Sequence, residues 1–466
     1  MVGGRLDFLK GGLASLGFLA LPGGLFAAPA GFTPKKKPNL VFGILSDTHL
    51  MVEWDGKSLY RTMTFDYVRN AFKLFKARGV DAFVHLGDAA HRGCVREWEF
   101  HRELFEEVFG KRGGPAKIIV VGNHELFGNS PHCKGVYRDP KAWVENAICA
   151  DVKRHYERTW GEPYSEFFHR EVNGYHFFGR HWIVEDEEYK GTREQPFADY
   201  ILSHAEACSL QGAKPFFILS HRRHHFRFCN ALRDFHNAVA FMGHWHQSNA
   251  DWKSIYCDRD TFGGFFPHME VGACRFDGGN GLYPPGEIQL PEDSSSFKGN
   301  NLPSRQAMIV NVYDDMAVFE RHEVGEGGKL GADWVLPFAQ LKPHPFLTAE
   351  LKKAEGTPEF GKNAKIEVAK LSDGLKVTIP MADGNPAVRP SAYNVVVVGD
   401  DPKVRFFKSE YFSGVNSGIG HEPNHGITRV TIPLAQLPAG KKLTVAVRPV
   451  SSLGNKGKAI GKTWRV

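Results

Sequence analysis

Beyond its first thirty residues, the 466-residue chain has no stretch long and apolar enough to span a bilayer. With 42% hydrophobic and 12% aromatic residues, the bulk of it reads as a soluble globular protein of two or more domains. Cysteine is sparse: seven residues, all between Cys94 and Cys274, and no C-x-x-C pair, so no thiolate-based site is indicated. The odd count leaves at least one thiol unpaired in a monomer. Cys133 with Cys149, or Cys257 with Cys274, are pairings the spacing permits without deciding. No internal repeat is present. A concentrated basic stripe interleaved with aromatics is also missing, so nucleic-acid binding is not indicated.

The N-terminus carries an address. Arg5 and Lys10 precede an apolar Gly/Ala/Leu/Phe stretch that closes on Ala28-Pro29-Ala30, an A-x-A-like cleavage site, so residues 1–30 read as an export signal. The segment Gly4 to Lys10 resembles a twin-arginine signal whose second Arg is Leu6. No cysteine sits near the cleavage site, so a lipoprotein anchor is not indicated. The expected location is periplasmic or extracellular; the alternative is an uncleaved membrane tether flanked by the basic linker 31–37 with Lys35-Lys36-Lys37.

Five short blocks follow in order: Asp47-Thr48-His49, Gly87-Asp88, Gly122-Asn123-His124-Glu125, His221, and Gly243-His244-Trp245-His246. Each follows a short apolar run, respectively 39–45, 80–86, 117–121, 215–220 and 238–242. Runs of this kind suit strands buried on both faces. Phe65, Val68, Phe72 and Phe75, then Trp98, Leu104, Phe105 and Val108, recur at helical spacing between the first strands. Alternating strands and helices imply an α/β sheet, whose ligand sites lie beyond the carboxyl ends of the strands. Oxygen and imidazole ligands gathered there are what two adjacent divalent metals need, and Asp88 is placed in the order to bridge them. Such a pair supplies an activated water and a sink for negative charge.

The ordered set D-x-H, G-D, G-N-H-E, H, G-H-x-H resembles the calcineurin-like metallophosphoesterases over residues 38–340. The resemblance implies an αββα four-layer sandwich. It implies one metal on Asp47, His49, Asp88 and His246, and a second on Asp88, Asn123, His221 and His244. Mixed carboxylate, amide and imidazole ligands suit Mn, Fe, Zn or Ni better than Ca. His124 would face the phosphate as acid or transition-state stabiliser, with Glu125 as its support or as a local structural anchor. The implied reaction is direct in-line attack on a phosphate ester by a metal-bound hydroxide, without a covalent intermediate. Purple acid phosphatases place a Tyr three residues after the G-D aspartate and lack the first-block His; here His91 and His49 stand at those positions. That departure tilts the expected substrate toward phosphodiesters. Asn123, His91, Arg92, Arg222 and Trp245 are the candidate substrate contacts, with Arg223, Phe127 and His132 behind them. His224 and His225 compete with His221, which alone follows its strand directly.

Met308–Tyr313 and Ala317–Arg321 read as a terminal hairpin around Asp314-Asp315, and residues 285–303 as a long surface loop edging the site. A linker over 341–360 leads to residues 361–466, where short alternating strands (365–368, 375–379, 393–398, 429–432, 443–447) separated by Gly/Pro/Asn/Asp turns indicate a small all-β sandwich. The closing Pro449–Asn455 resembles the end of a fibronectin type III-like module. The net charge of +6 is unevenly spread: residues 345–466 carry 18 Lys/Arg against 10 Asp/Glu. This basic module would suit contact with an anionic envelope or polyanion. The rival expectation is therefore a cell-surface binding protein with a catalytically dormant metal domain.

Overall fold

The computed structural model describes residues 36–50, 64–126 except 92, 152–183, 194–246 except 213, 249, 265–274, 305–338 except 326, 327 and 330–332, 356–412 except 386, 387, 389 and 402, and 428–465 except 452 and 453. Strand backbone is also described at 26–27, 52–54, 59–61, 255–256 and 289–290. In chain order the first part runs β1 (Leu40–Leu45), α1 (Thr64–Arg78), β2 (Ala82–His85), α2 (Val95–Phe109), β3 (Ala116–Ile119), α3 (Val152–Trp160), β4 (Phe167–Val172), β5 (Tyr175–Arg180), α4 (Glu194–Ser203), β6 (Phe216–Ser220), α5 (Phe226–Ala231), β7 (Ala238–Met242), β8 (His268–Glu270), β9 (Gln306–Val312), β10 (Met316–Glu323) and β11 (Trp334–Pro337).

Two mixed sheets result. One is ordered 26–27, β11, β10, β9, β1, β2, β3; the other 255–256, β8, β7, β6, β5, β4. Their facing surfaces share one core of Phe42, Ile44, Val84, Phe177, Phe217, Phe241, Val310 and Phe319. On the outside of the first sheet, α1, α2 and α3 cover Leu45, Phe83 and Ile119 with Phe72, Phe75, Trp98 and Tyr156. On the outside of the second, α4 and α5 cover Phe178, Phe216 and Ala240 with Phe197, Ile201 and Phe228. Helix, sheet, sheet, helix is the expected order. The continuous apolar runs of β1, β2, β6 and β7 are explained by it, since every residue of these strands is buried. The terminal hairpin pairs Val312 with Ala317 across Asp314-Asp315. Phe26–Ala27, inside the expected export segment, pair with Val335 and Trp334.

The C-terminal part is all antiparallel: β12 (Glu367–Lys370), β13 (Gly374–Ile379), β14 (Pro390–Val398), β15 (Arg405–Phe412), β16 (Thr428–Pro433), β17 (Lys442–Ser451) and β18 (Ile460–Arg465). A three-stranded sheet β12-β13-β16 and a sheet β15-β14-β17-β18 enclose one core that includes Leu375, Val377, Tyr393, Val395, Ile432 and Val445. Residues 289–290, within the expected long loop, pair with Tyr411 and Glu410 of β15. The rest of 285–303 lies outside the described residues.

The cysteines correct one expectation. Cys274 is a free, fully buried thiol, so Cys257–Cys274 does not form. Cys208 and Cys229 are not disulfide-bonded either, whereas Cys94 is. Cys133, Cys149 and Cys257 lie outside the described residues.

Candidate metal centre

The site is built where β1, β2, β3, β6 and β7 end. The loops after β1 and β2 continue side by side: Asp47 N–H donates to Gly87 O at 3.0 Å, His49 N–H to Asp88 O at 2.8 Å and Leu50 N–H to Ala89 O at 2.8 Å. The backbone of the site is unusual. Asp47, His49, Asp88, His244 and His246 all sit at positive φ, between 40° and 70°. Aspartate and histidine tolerate this region better than most residues, though not as freely as glycine. Gly87 is required on two counts: φ is +100°, and a Cβ there would meet His221 Nδ1 at 2.6 Å and the Gly122 backbone at 2.8 Å.

Two donor groups face each other. Asp47, His49 and His246 form one; Asp88, His221 and His244 form the other. In the first, His49 Nε2 lies 3.1 Å from His246 Nε2, which lies 3.1 Å from Asp47 Oδ1. In the second, His221 Nε2 lies 3.1 Å from Asp88 Oδ2, and Asn123 Oδ1 lies 3.1 Å from His221 Nε2 and 3.0 Å from His244 Nδ1. Asp88 Oδ2 also stands 3.7 Å from His49 Nε2, so a single carboxylate borders both groups. Seven donors, most of them buried, converge with their lone pairs toward one another, an arrangement suited to cations.

The surrounding contacts fix these donors. His221 Nδ1–H donates to Leu86 O at 2.7 Å, directing Nε2 into the centre. His244 N–H donates to both oxygens of Asp47, and Ser46 Oγ–H donates to Asp47 Oδ2 at 2.5 Å. Burial would raise the Asp47 pKa, but His246, His221 and the Ser46 hydroxyl hold it well below the usual carboxylate range. Burial likewise opposes charge on His221, yet Asp88 and Asp47 push its pKa up to about 10. Glu125, fully buried, accepts the N–H groups of Asp88 at 2.9 Å, Ala90 at 2.8 Å and Gly122 at 2.6 Å. It therefore anchors the turns of the second and third blocks, rather than supporting the His124 ring.

His124 Nδ1–H donates to His91 O at 2.7 Å, which leaves Nε2 on the site side, 3.9 Å from Asp88 Oδ2. The rings of His91 and His124 stack at 5.4 Å, and His91 lies 5.4 Å from the His49 ring. Arg222 lies over the ring of Trp182 at 5.4 Å, while Trp245 is half exposed with its ring 5.5 Å from that of His244. Arg92, Phe127 and His132 lie outside the described residues. Arg223 is engaged with buried Glu270 at 2.8 Å. His224 is buried against Ser220 and Glu194, and His225 caps α5, so neither takes the place of His221.

Trp182 is the neighbour that motif reading does not reach. Its buried ring packs 5.2 Å from His244 and 5.8 Å from His221 and forms a wall of the centre. It lies two residues beyond the end of β5.

Paired α/β sheets with two Asp/His donor groups at the strand ends define a metal-dependent phosphoesterase. Residues 40–248 match the family model of the calcineurin-like phosphoesterases. Solved structures similar to this chain include a dimetal phosphatase from Danio rerio (13% identity, 65% of this chain and 100% of that one, TM-score 0.36). Others are the purple acid phosphatase PPD1 of yellow lupin, Lupinus luteus (13%, 66% and 55%, 0.42), and PhoD (12%, 66% and 72%, 0.41). No curated protein matches the sequence. Among the described residues no helix is long and apolar enough to cross a membrane.

Proposed function

We propose that this protein is an exported dinuclear-metal phosphoesterase that hydrolyses phosphate esters, with phosphodiesters slightly preferred. The observation that carries the reading is the position of Asp88, whose Oδ2 lies 3.1 Å from the His221 donor of one group and 3.7 Å from the His49 donor of the other. Asp47, His49 and His246 would hold one metal, Asn123, His221 and His244 the other, and Asp88 both. The metals, Mn, Fe, Zn or Ni, would supply an activated water and a sink for phosphoryl charge when bound.

The chain's own residues do the rest. His124, its tautomer set by the His91 carbonyl, presents Nε2 toward the centre, where it can stabilise charge or hand a proton to the leaving oxygen. Glu125 keeps the turns carrying Asp88 and Asn123 in place through their backbone N–H groups. His91, Arg222 and Trp245 border the centre and are the proposed substrate contacts, together with Arg92. The preference for diesters rests on His49 and on His91 standing where a purple acid phosphatase has Tyr. Export rests on residues 1–30 alone.

The test is paired hydrolysis of p-nitrophenyl phosphate and its bis-ester by Mn-loaded protein, with Asp88→Ala as control. Faster Asp88-dependent cleavage of the bis-ester is expected. Monoester preference would make the protein a phosphatase. No turnover with Mn, Zn, Fe or Ni would move weight to the binding-protein reading, in which the basic C-terminal part contacts an envelope polymer. A chain ending at residue 340 separates the two: retained turnover of the small ester places the chemistry in the first part.

A further inference from the structure

The second sheet carries another donor cluster, sharing no residue with the centre above. His169 on β4, His176 on β5 and Cys208 in the turns after α4 each offer a ligand atom, and these atoms lie within 4.8 Å of one another. The strand register explains the first two. His169 is opposite Phe178 and Glu171 is opposite His176, so the two histidines stand diagonally on one face of the hairpin. That face is the one covered by α4, because Phe178 packs with Phe197 and Ile201, and Cys208 packs at the margin of the same cluster. The His169 ring stacks on Phe178 at 4.7 Å, which fixes its plane. Cys208 is placed by its own N–H, donated to His204 O at 2.9 Å.

The spacing is close to that of a coordination sphere. His169 Nε2 lies 3.0 Å from His176 Nδ1 and 3.9 Å from Cys208 Sγ. Tetrahedral zinc, with ordinary Zn–N and Zn–S bonds, holds two nitrogens roughly 3.3 Å apart and a nitrogen and sulfur roughly 3.6 Å apart. Adjustments of a few tenths of an ångström would suffice. Glu171 adds negative charge beside both histidines and the thiol. Two cations oppose it, Arg170 and Lys214, but Arg170 is engaged with Glu162 at 3.0 Å and Lys214 lies over the Tyr175 ring at 5.2 Å. Cys208 is not disulfide-bonded, so its sulfur is available to a soft cation.

We infer that His169, His176 and Cys208 form a separate mononuclear site for a zinc-like divalent cation, held by two imidazoles and one thiolate with a fourth position open. The ring of His204 lies 5.5 Å from that of His169.

Sulfur gives the site a signature the phosphoesterase centre cannot share, since its donors are all nitrogen and oxygen. Full-length protein loaded with Co²⁺ is expected to show a near-ultraviolet thiolate-to-cobalt charge-transfer band, lost on addition of Zn²⁺. Cys208→Ser is expected to abolish the band and lower the bound metal by one equivalent per chain, with ester turnover unchanged. His176→Ala, on the partly exposed hairpin, is expected to weaken cobalt binding at least tenfold, and it decides the matter if the serine variant fails to fold. Wild-type protein that binds cobalt without a charge-transfer band overturns the inference, as does a band that persists in both variants.

Discussion

His124 and Asp88 separate two roles that one site can confuse. Asp88 borders both donor groups, so Asp88→Ala is expected to empty both and to abolish turnover, as metal analysis of the purified variant would show. His124 reaches Asp88 through its backbone N–H at 2.9 Å, and its ring is held by a carbonyl. Removing the ring should leave the metal content largely intact while lowering kcat by about 10²–10⁴-fold, the usual scale for a general acid. Loss of both metals in His124→Ala would make it a ligand. The seven donors were legible in the sequence because each lies within four residues of the end of a strand in an apolar run, where α/β sheets place their ligands. Trp182 was not, because a wall needs only bulk and carries no motif. Glu125 was legible as a member of its block, but its partners were not: nothing in the spacing tells that a carboxylate will accept three backbone N–H groups from two different turns.

At the scale of elements, burial on both faces decided what could be read. β1, β2, β6 and β7 are apolar throughout and stand out. β18 is exposed or half-exposed at every position and β15 mixes Arg, Lys, Ser and Glu with its aromatics, so neither gives an alternating signal. The β4–β5 hairpin did carry one: Asn173-Gly174, at φ 52° and 75°, is a two-residue turn between the paired Val172 and Tyr175. Its strands carry His and Arg among the phenylalanines, which obscures the period. A second contact between elements has a pH signature. Glu320 on β10 receives Arg78 from the end of α1, Lys329 at 3.2 Å, His322 at 3.3 Å and Asn311 Nδ2–H at 2.8 Å. Burial would raise its pKa, but His322, Arg78 and Lys329 hold it well below the usual 4.5. A carboxylate depressed in this way stabilises the fold above its unfolded pKa, and the contribution disappears as pH falls through the folded value. Glu320→Gln is expected to cost about 1–3 kcal/mol at neutral pH. Thermal melts of both proteins from pH 7 downward should show the gap narrowing below pH 4.5. A constant gap would mean that packing, not charge, sets the cost.

For the whole molecule, the metal centre bears on stability as well as on turnover. Five donors hold a backbone conformation that costs about 1–2 kcal/mol per residue for L-amino acids in general. Together these costs are comparable with the net stability of a folded domain, about 5–15 kcal/mol. Cations that bind only the folded chain offset them. Chelator-treated protein is therefore expected to melt several degrees below metal-loaded protein in calorimetry, with the C-terminal sheets, which contribute no donor, melting unchanged. Equal melting of both forms would show a centre rigid enough to stand without its ions.

The same five positions face two demands that pull apart. Glycine would relieve the backbone at each, and would remove the ligand in doing so. His49→Gly should therefore outlast His49→Ala on heating, though both are inactive. On an evolutionary scale, a descendant freed from selection for turnover would gain robustness by mutating the very residues that define its chemistry. In this fold the decay of activity would begin at the metal and be written in glycine.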